Sequence, residues 1–128
     1  IMVWSPLSGG FLTGKYRRGD SLPKESRIAL INKSVFVPSF NLEKGFNIID
    51  DLEIISKNHN ASIAQTSINY LIDKPGVSTI VLGVRNREQL QDNLDALKWK
   101  INENEMDALD KISSPPIHYP YWHQQKHN

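Results

Sequence analysis

Ile1-Met2-Val3-Trp4-Ser5-Pro6-Leu7-Ser8-Gly9-Gly10-Phe11-Leu12-Thr13-Gly14-Lys15-Tyr16 is the stretch on which the reading of this chain turns. Its first four residues are apolar and β-favouring, and Pro6 with the paired glycines stops them abruptly. The segment therefore reads as a buried strand that spills into a loop. In that loop Ser8, Gly9 and Gly10 let the backbone approach a bulky group while exposing N–H donors, and Lys15 adds a cation a few residues on. Such a loop suits a phosphate. A plain strand-to-loop junction uses the same residue types, so the stretch alone leaves both readings open.

A second strand is expected far downstream. Val77, Ile80, Val81, Leu82 and Val84 make Val77 to Val84 a nearly continuous apolar run, the pattern of a strand buried on both faces in a parallel sheet. Between the two strands lie helices. Asn41 is placed to cap a helix whose Leu42, Phe46, Ile49, Leu52 and Ile55 recur at helical spacing, ending near Lys57-Asn58-His59-Asn60. Ser62 and Gln65 have capping-box spacing before the stripe Ala64, Ile68, Leu71 and Ile72, which Pro75-Gly76 terminates, and the two helices read as a hairpin. After the second strand, Asn86 and Gln89 open a helix carrying Leu90, Leu94 and Leu97. Asn102 and Glu105 open another carrying Met106, Leu109 and Ile112, closed by Pro115-Pro116. Arg17 to Pro23 is turn chemistry, and Ser26 to Phe36 has room for a short helical turn that Pro38 closes. Strand, helices, strand, helix is the grammar of an α/β fold with a parallel sheet.

Composition narrows the function classes. The 128 residues carry 15 Lys+Arg against 14 Asp+Glu, a net charge of +1, so no broad field selects nucleic acid or an anionic membrane. With 0 Cys there is no thiolate nucleophile and no Cys-based metal site, which fits a cytoplasmic setting. No apolar run approaches the ~20 residues of a membrane span. His59, His118, His123 and His127 lack metal-ligand spacing, so no metal site is expected, and neither a Gly-x-Ser-x-Gly elbow nor a P-loop is present. A strand at residue one, with no turn before it, reads as a chain cut into.

Two ordered motifs resemble the aldo-keto reductase superfamily. Trp4-Ser5-Pro6-Leu7, then Gly10, then Thr13-Gly14-Lys15-Tyr16 is similar to the segment after that family's seventh barrel strand. Gly83-Val84-Arg85 with Glu88-Gln89-Leu90 and Asp92-Asn93 is similar to its eighth strand and following helix. Ser26-Arg27 falls where relatives, including potassium-channel β-subunits, have a cofactor-contacting pair. The resemblance implies that residues 1–128 are the C-terminal portion of a (β/α)8 TIM barrel, the last two parallel strands with their helices, the front two-thirds of a ~250-residue fold being absent. It implies an NADPH-dependent oxidoreductase acting on a small aldehyde or ketone. The catalytic Asp, Tyr, Lys and His would all precede Ile1, so no catalytic residue maps onto this chain, which by itself is expected to be inactive.

Ligands of parallel α/β folds bind beyond the carboxyl ends of the strands. If the two strands are neighbours, Ser5 to Gly10 and Gly83 to Asn86 face one another across one ligand. The resemblance assigns Trp4 to stacking on the nicotinamide, against the alternative of a core Trp. It assigns Ser5, Pro6, Leu7 and Ser8 to cofactor contact, Lys15 to phosphate, and Gly83, Arg85, Gln89, Asp92 and Asn93, with Arg27, to the adenosine end. Arg85 and Arg87 stand at a helix start, where the macrodipole disfavours a cation by about 0.3–1 kcal/mol. Either Glu88 or a bound phosphate compensates. Gln89 can equally close a capping box, and Asp92 and Asn93 can equally face water. Tyr119, Tyr121 and Trp122 are candidates for a substrate wall. A nucleotide-sensing module without turnover, or a fragment without function, are the other readings. Two strands are too few for a free-standing sheet, so self-association through open strand edges is expected.

Overall fold

The computed structural model describes residues 1–20 and 41–115. Strand β1, Met2–Trp4, runs parallel to β2, Thr79–Val81, with Met2 opposite Thr79, Val3 opposite Ile80 and Trp4 opposite Val81. The Ile1 carbonyl starts the ladder by accepting from Ser78 N–H at 2.8 Å. It stops where Ser5 turns to φ 54 and Pro6 has no N–H to give. The strand expected over Val77 to Val84 is thus trimmed at both ends, because pairing needs a facing partner and β1 offers three residues.

Four helices follow the expected order: α1, Leu42–Asn58; α2, Ile63–Ile72; α3, Arg87–Asp95; and α4, Glu103–Ser113. Every start is capped through the side chain. Asn41 accepts from Lys44 N–H at 3.1 Å, Ser62 from Gln65 at 3.0 Å, Asn86 from Gln89 at 2.8 Å and Asn102 from Glu105 at 3.0 Å. Each such cap is worth about 1 kcal/mol. The reciprocal bond of a capping box forms at Asn102 and Glu105. At the other two expected boxes the glutamine is drawn elsewhere: Gln89 Oε1 accepts from Arg85 N–H, and Gln65 reaches across to α3. Helix α2 closes at Ile72, ahead of the Pro75-Gly76 pair expected to end it.

The core sits among the helices. Ile49, Phe11 and Tyr16 form one buried cluster; Leu52, Ile55, Ile101 and Leu109 form a second, with Leu12 and Ile63 packed against both. Phe11 comes from the turn-rich segment Ser8–Thr13 that follows β1, so this segment is pinned on one side by the α1–α2 pair. Arg17 and Arg18 pin its continuation, Arg17 pairing with Glu53 at 2.8 Å and Arg18 with Glu43 and Asp50 on α1.

Two expectations of burial need correcting. The strands are not covered on both faces: Met2, Trp4 and Val81 are exposed, while Val3 and Ile80 are half-buried. Helix α2 packs on β2, and no described element covers the opposite face. Likewise Leu90 and Leu94 on α3, and Leu97 in the 3-10 turn Ala96–Lys98 that follows it, are 44%, 46% and 66% exposed, since the side of α3 turned to α2 is its polar side. Arg27 and the Ser26 to Phe36 turn, with Pro116, His118, Tyr119, Tyr121, Trp122, His123 and His127, lie outside the described residues.

Candidate functional site

The chain leaves β1 through a run of unusual backbone. Ser5 and Ser8 take φ 54 and φ 47, in the left-handed region that non-glycine residues seldom adopt, and Gly9 and Gly10 follow at φ 65 and φ 89. Such conformations persist where neighbours overdetermine them, often at binding sites. Here Ser8 N–H donates to the Ser5 carbonyl at 2.9 Å, Gly10 N–H to Leu7 at 2.8 Å, and Thr13 Oγ1 to the Gly10 carbonyl at 2.8 Å. Ser67 on α2 donates its hydroxyl to the Leu12 carbonyl at 2.9 Å, fastening the loop to the helix layer. The Lys15 side chain folds back over the loop so closely that a Cβ on Gly10 would stand 2.8 Å from Nζ. Glycine at that position is what lets the ammonium sit above the turn.

Because β1 and β2 are parallel neighbours, the loop after β2 faces this one. Trp4, Ser5, Pro6, Leu7, Gly9, Gly10, Thr13 and Lys15 from the first loop, and Leu82, Gly83, Val84 and Arg85 from the second, line one cavity of about 970 Å³ with Gln89, Asp92 and Asn93 of α3. That volume lies at the upper end of small-molecule sites, about 300–1,000 Å³. Trp4 is 76% exposed in this chain and lines the cavity wall. Ser8 belongs to the loop but is not part of the lining. Arg85, Arg87 and Lys15 make no ion pair among the described residues, and Glu88 stands in the first turn of α3 just after the two arginines without bonding either. Two of these cations, Lys15, whose ammonium lies 4.9 Å from the centre of the Tyr16 ring, and Arg85, line the same cavity from different loops.

The remaining polar wall divides in two. Asn93 is 6% exposed, yet its side-chain amide has no hydrogen-bond partner among the described residues and opens into the cavity. Asp92, half-buried, is engaged by the helix layer: its Oδ2 accepts from Ser62 Oγ at 2.8 Å and its Oδ1 from Gln65 Nε2 at 2.7 Å. Ser62 and Ala64 at the start of α2 also line the cavity, and the sequence reading treated them only as a cap and a stripe. A topological signal was available: a helix returning toward the next parallel strand begins at the strands' carboxyl end, where ligands bind.

His59, the one histidine among the described residues, is occupied elsewhere. Its Nε2 lies 2.8 Å from Glu105 Oε2 and its ring stacks on Trp99 at 4.6 Å. Burial pushes the Glu105 carboxyl up, but hydrogen bonds from His59 and from Asn102 N–H hold it net below the ordinary value of 4.5. Among the described residues no cluster of His, Asp and Glu is arranged to hold a metal ion, and no helix is long and apolar enough to cross a membrane.

The aldo/keto reductase family model matches residues 1–114. Proteins named as probable voltage-gated potassium channel β subunits from Arabidopsis thaliana and Oryza sativa subsp. japonica are 31% and 32% identical over 97 residues, 76% of this chain and 29% of each relative. A solved structure, the glycerol dehydrogenase of Gluconobacter oxydans, superposes on 92% of this chain with TM-score 0.68 at 24% identity, using 36% of its own length, which supports the fold alone. The chain spans about a third of the length of the relatives it matches. With two parallel strands, the loops at their carboxyl ends and helices in barrel order, the chain belongs to the aldo/keto reductase family.

Proposed function

We propose that residues 1–128 form the nucleotide-binding side of an aldo/keto reductase barrel and that the cavity takes NADPH. The observation that carries this reading is the pair of cations, Lys15 and Arg85, neither in an ion pair among the described residues, set on opposing loops of one cavity beside the unpartnered amide of Asn93. The residues fit a dinucleotide in kind as well as in charge. Trp4 supplies a flat apolar face, the Ser5 to Gly10 backbone a tight turn open to a phosphate, and Arg85 a planar fork able to grip a second phosphate while lying against adenine. When bound, the nicotinamide supplies hydride for reduction of an aldehyde or ketone carbonyl. In that reaction the chain's part is to bind and orient, since the proton donor belongs to residues outside it.

A second reading, a nucleotide-sensing module without turnover, is motivated by the likeness to proteins named as channel β subunits. Both readings require the same pocket. They part on turnover of a generic aldehyde by the whole barrel protein, which the enzyme reading requires and the sensing reading forbids.

The pocket is tested by titrating NADPH and NADH against the full chain and Arg85→Ala, following tryptophan fluorescence. A charge-assisted hydrogen bond contributes about 1.5–3 kcal/mol, so the substitution should weaken NADPH binding roughly ten- to a hundred-fold and leave NADH nearly unchanged. An equal loss for both nucleotides would overturn the preference for NADPH. Absence of binding by the unaltered chain would overturn the pocket assignment.

A further inference from the structure

Helix α3 presents a problem of attachment. It carries Gln89 and Asn93 into the cavity and begins just after Arg85, yet its leucines are exposed and the residue it buries is Asn93. Apolar packing fixes the C-terminal end of α3, where the C-cap Ala96 is fully buried and Asn69 donates to its carbonyl at 2.8 Å, but not its middle. What joins its middle to the helix layer is Asp92, through Ser62 Oγ at 2.8 Å and Gln65 Nε2 at 2.7 Å.

Each partner is committed to one role. The Ser62 hydroxyl accepts from Gln65 N–H at 3.0 Å while capping α2, so its own hydrogen is free for Asp92. The Gln65 amide is fixed from both ends: its nitrogen donates to the carboxylate and its oxygen accepts from Trp99 Nε1 at 3.3 Å. A flipped amide would set oxygen against carboxylate and nitrogen against indole N–H. Trp99 is held in turn by stacking on His59. The carboxylate also stands at the N-terminus of α2, where the helix dipole favours a negative charge.

Resting on the nucleotide reading above, we infer that Asp92 is a positioning residue: through Ser62 and Gln65 it holds α3 so that Arg85, Gln89 and Asn93 meet the adenosine end of the ligand. The negative charge on the cavity wall is thereby engaged by α2, which lessens its opposition to a phosphate held by Arg85. Gln65 does not line the cavity, so it reports on this linkage without touching the ligand.

The test uses the two halves of the dinucleotide as probes. Adenosine 2′,5′-bisphosphate and nicotinamide mononucleotide are titrated by calorimetry into the full chain, Asp92→Asn, Gln65→Leu and the double variant. Losing one hydrogen bond of this link should weaken the adenosine probe about three- to ten-fold. The mononucleotide should change little, and the double variant should be no worse than the weaker single, as for two parts of one link. Should Gln65→Leu fail to give a cooperative thermal melt, Gln65→Met, which keeps the length of the side chain and removes its amide, is expected to shift the adenosine probe in the same direction. Unchanged adenosine affinity in Gln65→Leu alongside a loss in Asp92→Asn would overturn the inference, since Asp92 would then contact the nucleotide itself. Equal loss of both probes would overturn it in favour of general destabilisation. If the unaltered chain binds neither probe, the nucleotide reading falls first and this inference with it.

Discussion

The α1–α2–α4 layer and the sheet with α3 solve the same problem differently. In the helical layer, apolar stripes meet: Ile49, Leu52, Ile55 and Leu109 are each at most 5% exposed. Polar residues there are satisfied internally, as where Asn69 donates to the Ala96 and Trp99 carbonyls and accepts from Ile101 N–H. On the other side Met2, Trp4, Val81, Leu94 and Leu97 face outward, and the middle of α3 is held by Asp92 and its partners while its end is anchored at Ala96. The cavity therefore lies at the seam between a side held by apolar packing and a side held by polar links.

Core substitution gives the largest expected contrast. Leu109→Ala, at a site 2% exposed, should cost about 2–5 kcal/mol. Leu97→Ala, at 66% exposed, should stay within about 0.5 kcal/mol. Urea unfolding of both variants measures the difference, and similar losses would mean that the exposed side of the Ala96–Lys98 turn after α3 is covered in solution. A smaller effect is expected at the open side of the sheet. Both outer edges of the β1–β2 pair are unpaired among the described residues, and such edges recruit other strands. Sedimentation should show the chain associating as its concentration rises; a concentration-independent monomer would show the edges to be protected.

The smallest effect belongs to the α1–α4 junction. Glu105 is held below its ordinary carboxylate value of 4.5 in the folded chain. Its contribution is thus present above that ordinary value and lost as pH falls through the lower folded value. For a pair of this kind the loss should be about 1 kcal/mol or less. Comparing thermal melts between pH 7 and pH 3 for the chain and Glu105→Gln isolates it, and an equally steep acid loss in the variant would assign the effect to other carboxylates.

Much of this was legible before any coordinates. The two strands, the four helix starts and the facing loops follow from Pro6, the capping residues Asn41, Ser62, Asn86 and Asn102, and two apolar runs, because each signal acts within a few residues. The candidate ligand residues around Ser5 to Lys15 and Gly83 to Asn93 were likewise readable as motifs, and the parallel pairing brings them to one cavity.

What the chain's order of residues determined by itself was local: where helices begin, where strands stop, and which loops carry glycine and positive charge. Tertiary structure alone decided which stripes are covered. Leu90, Leu94 and Leu97 have the spacing of Leu52 and Ile55 but not their burial, because periodicity says that a helix has an apolar side and not what lies against it. Structure alone also decided the partners of Asp92, Ser62 and Gln65, which stand 30 and 27 residues away, where packing rather than spacing determines which groups meet.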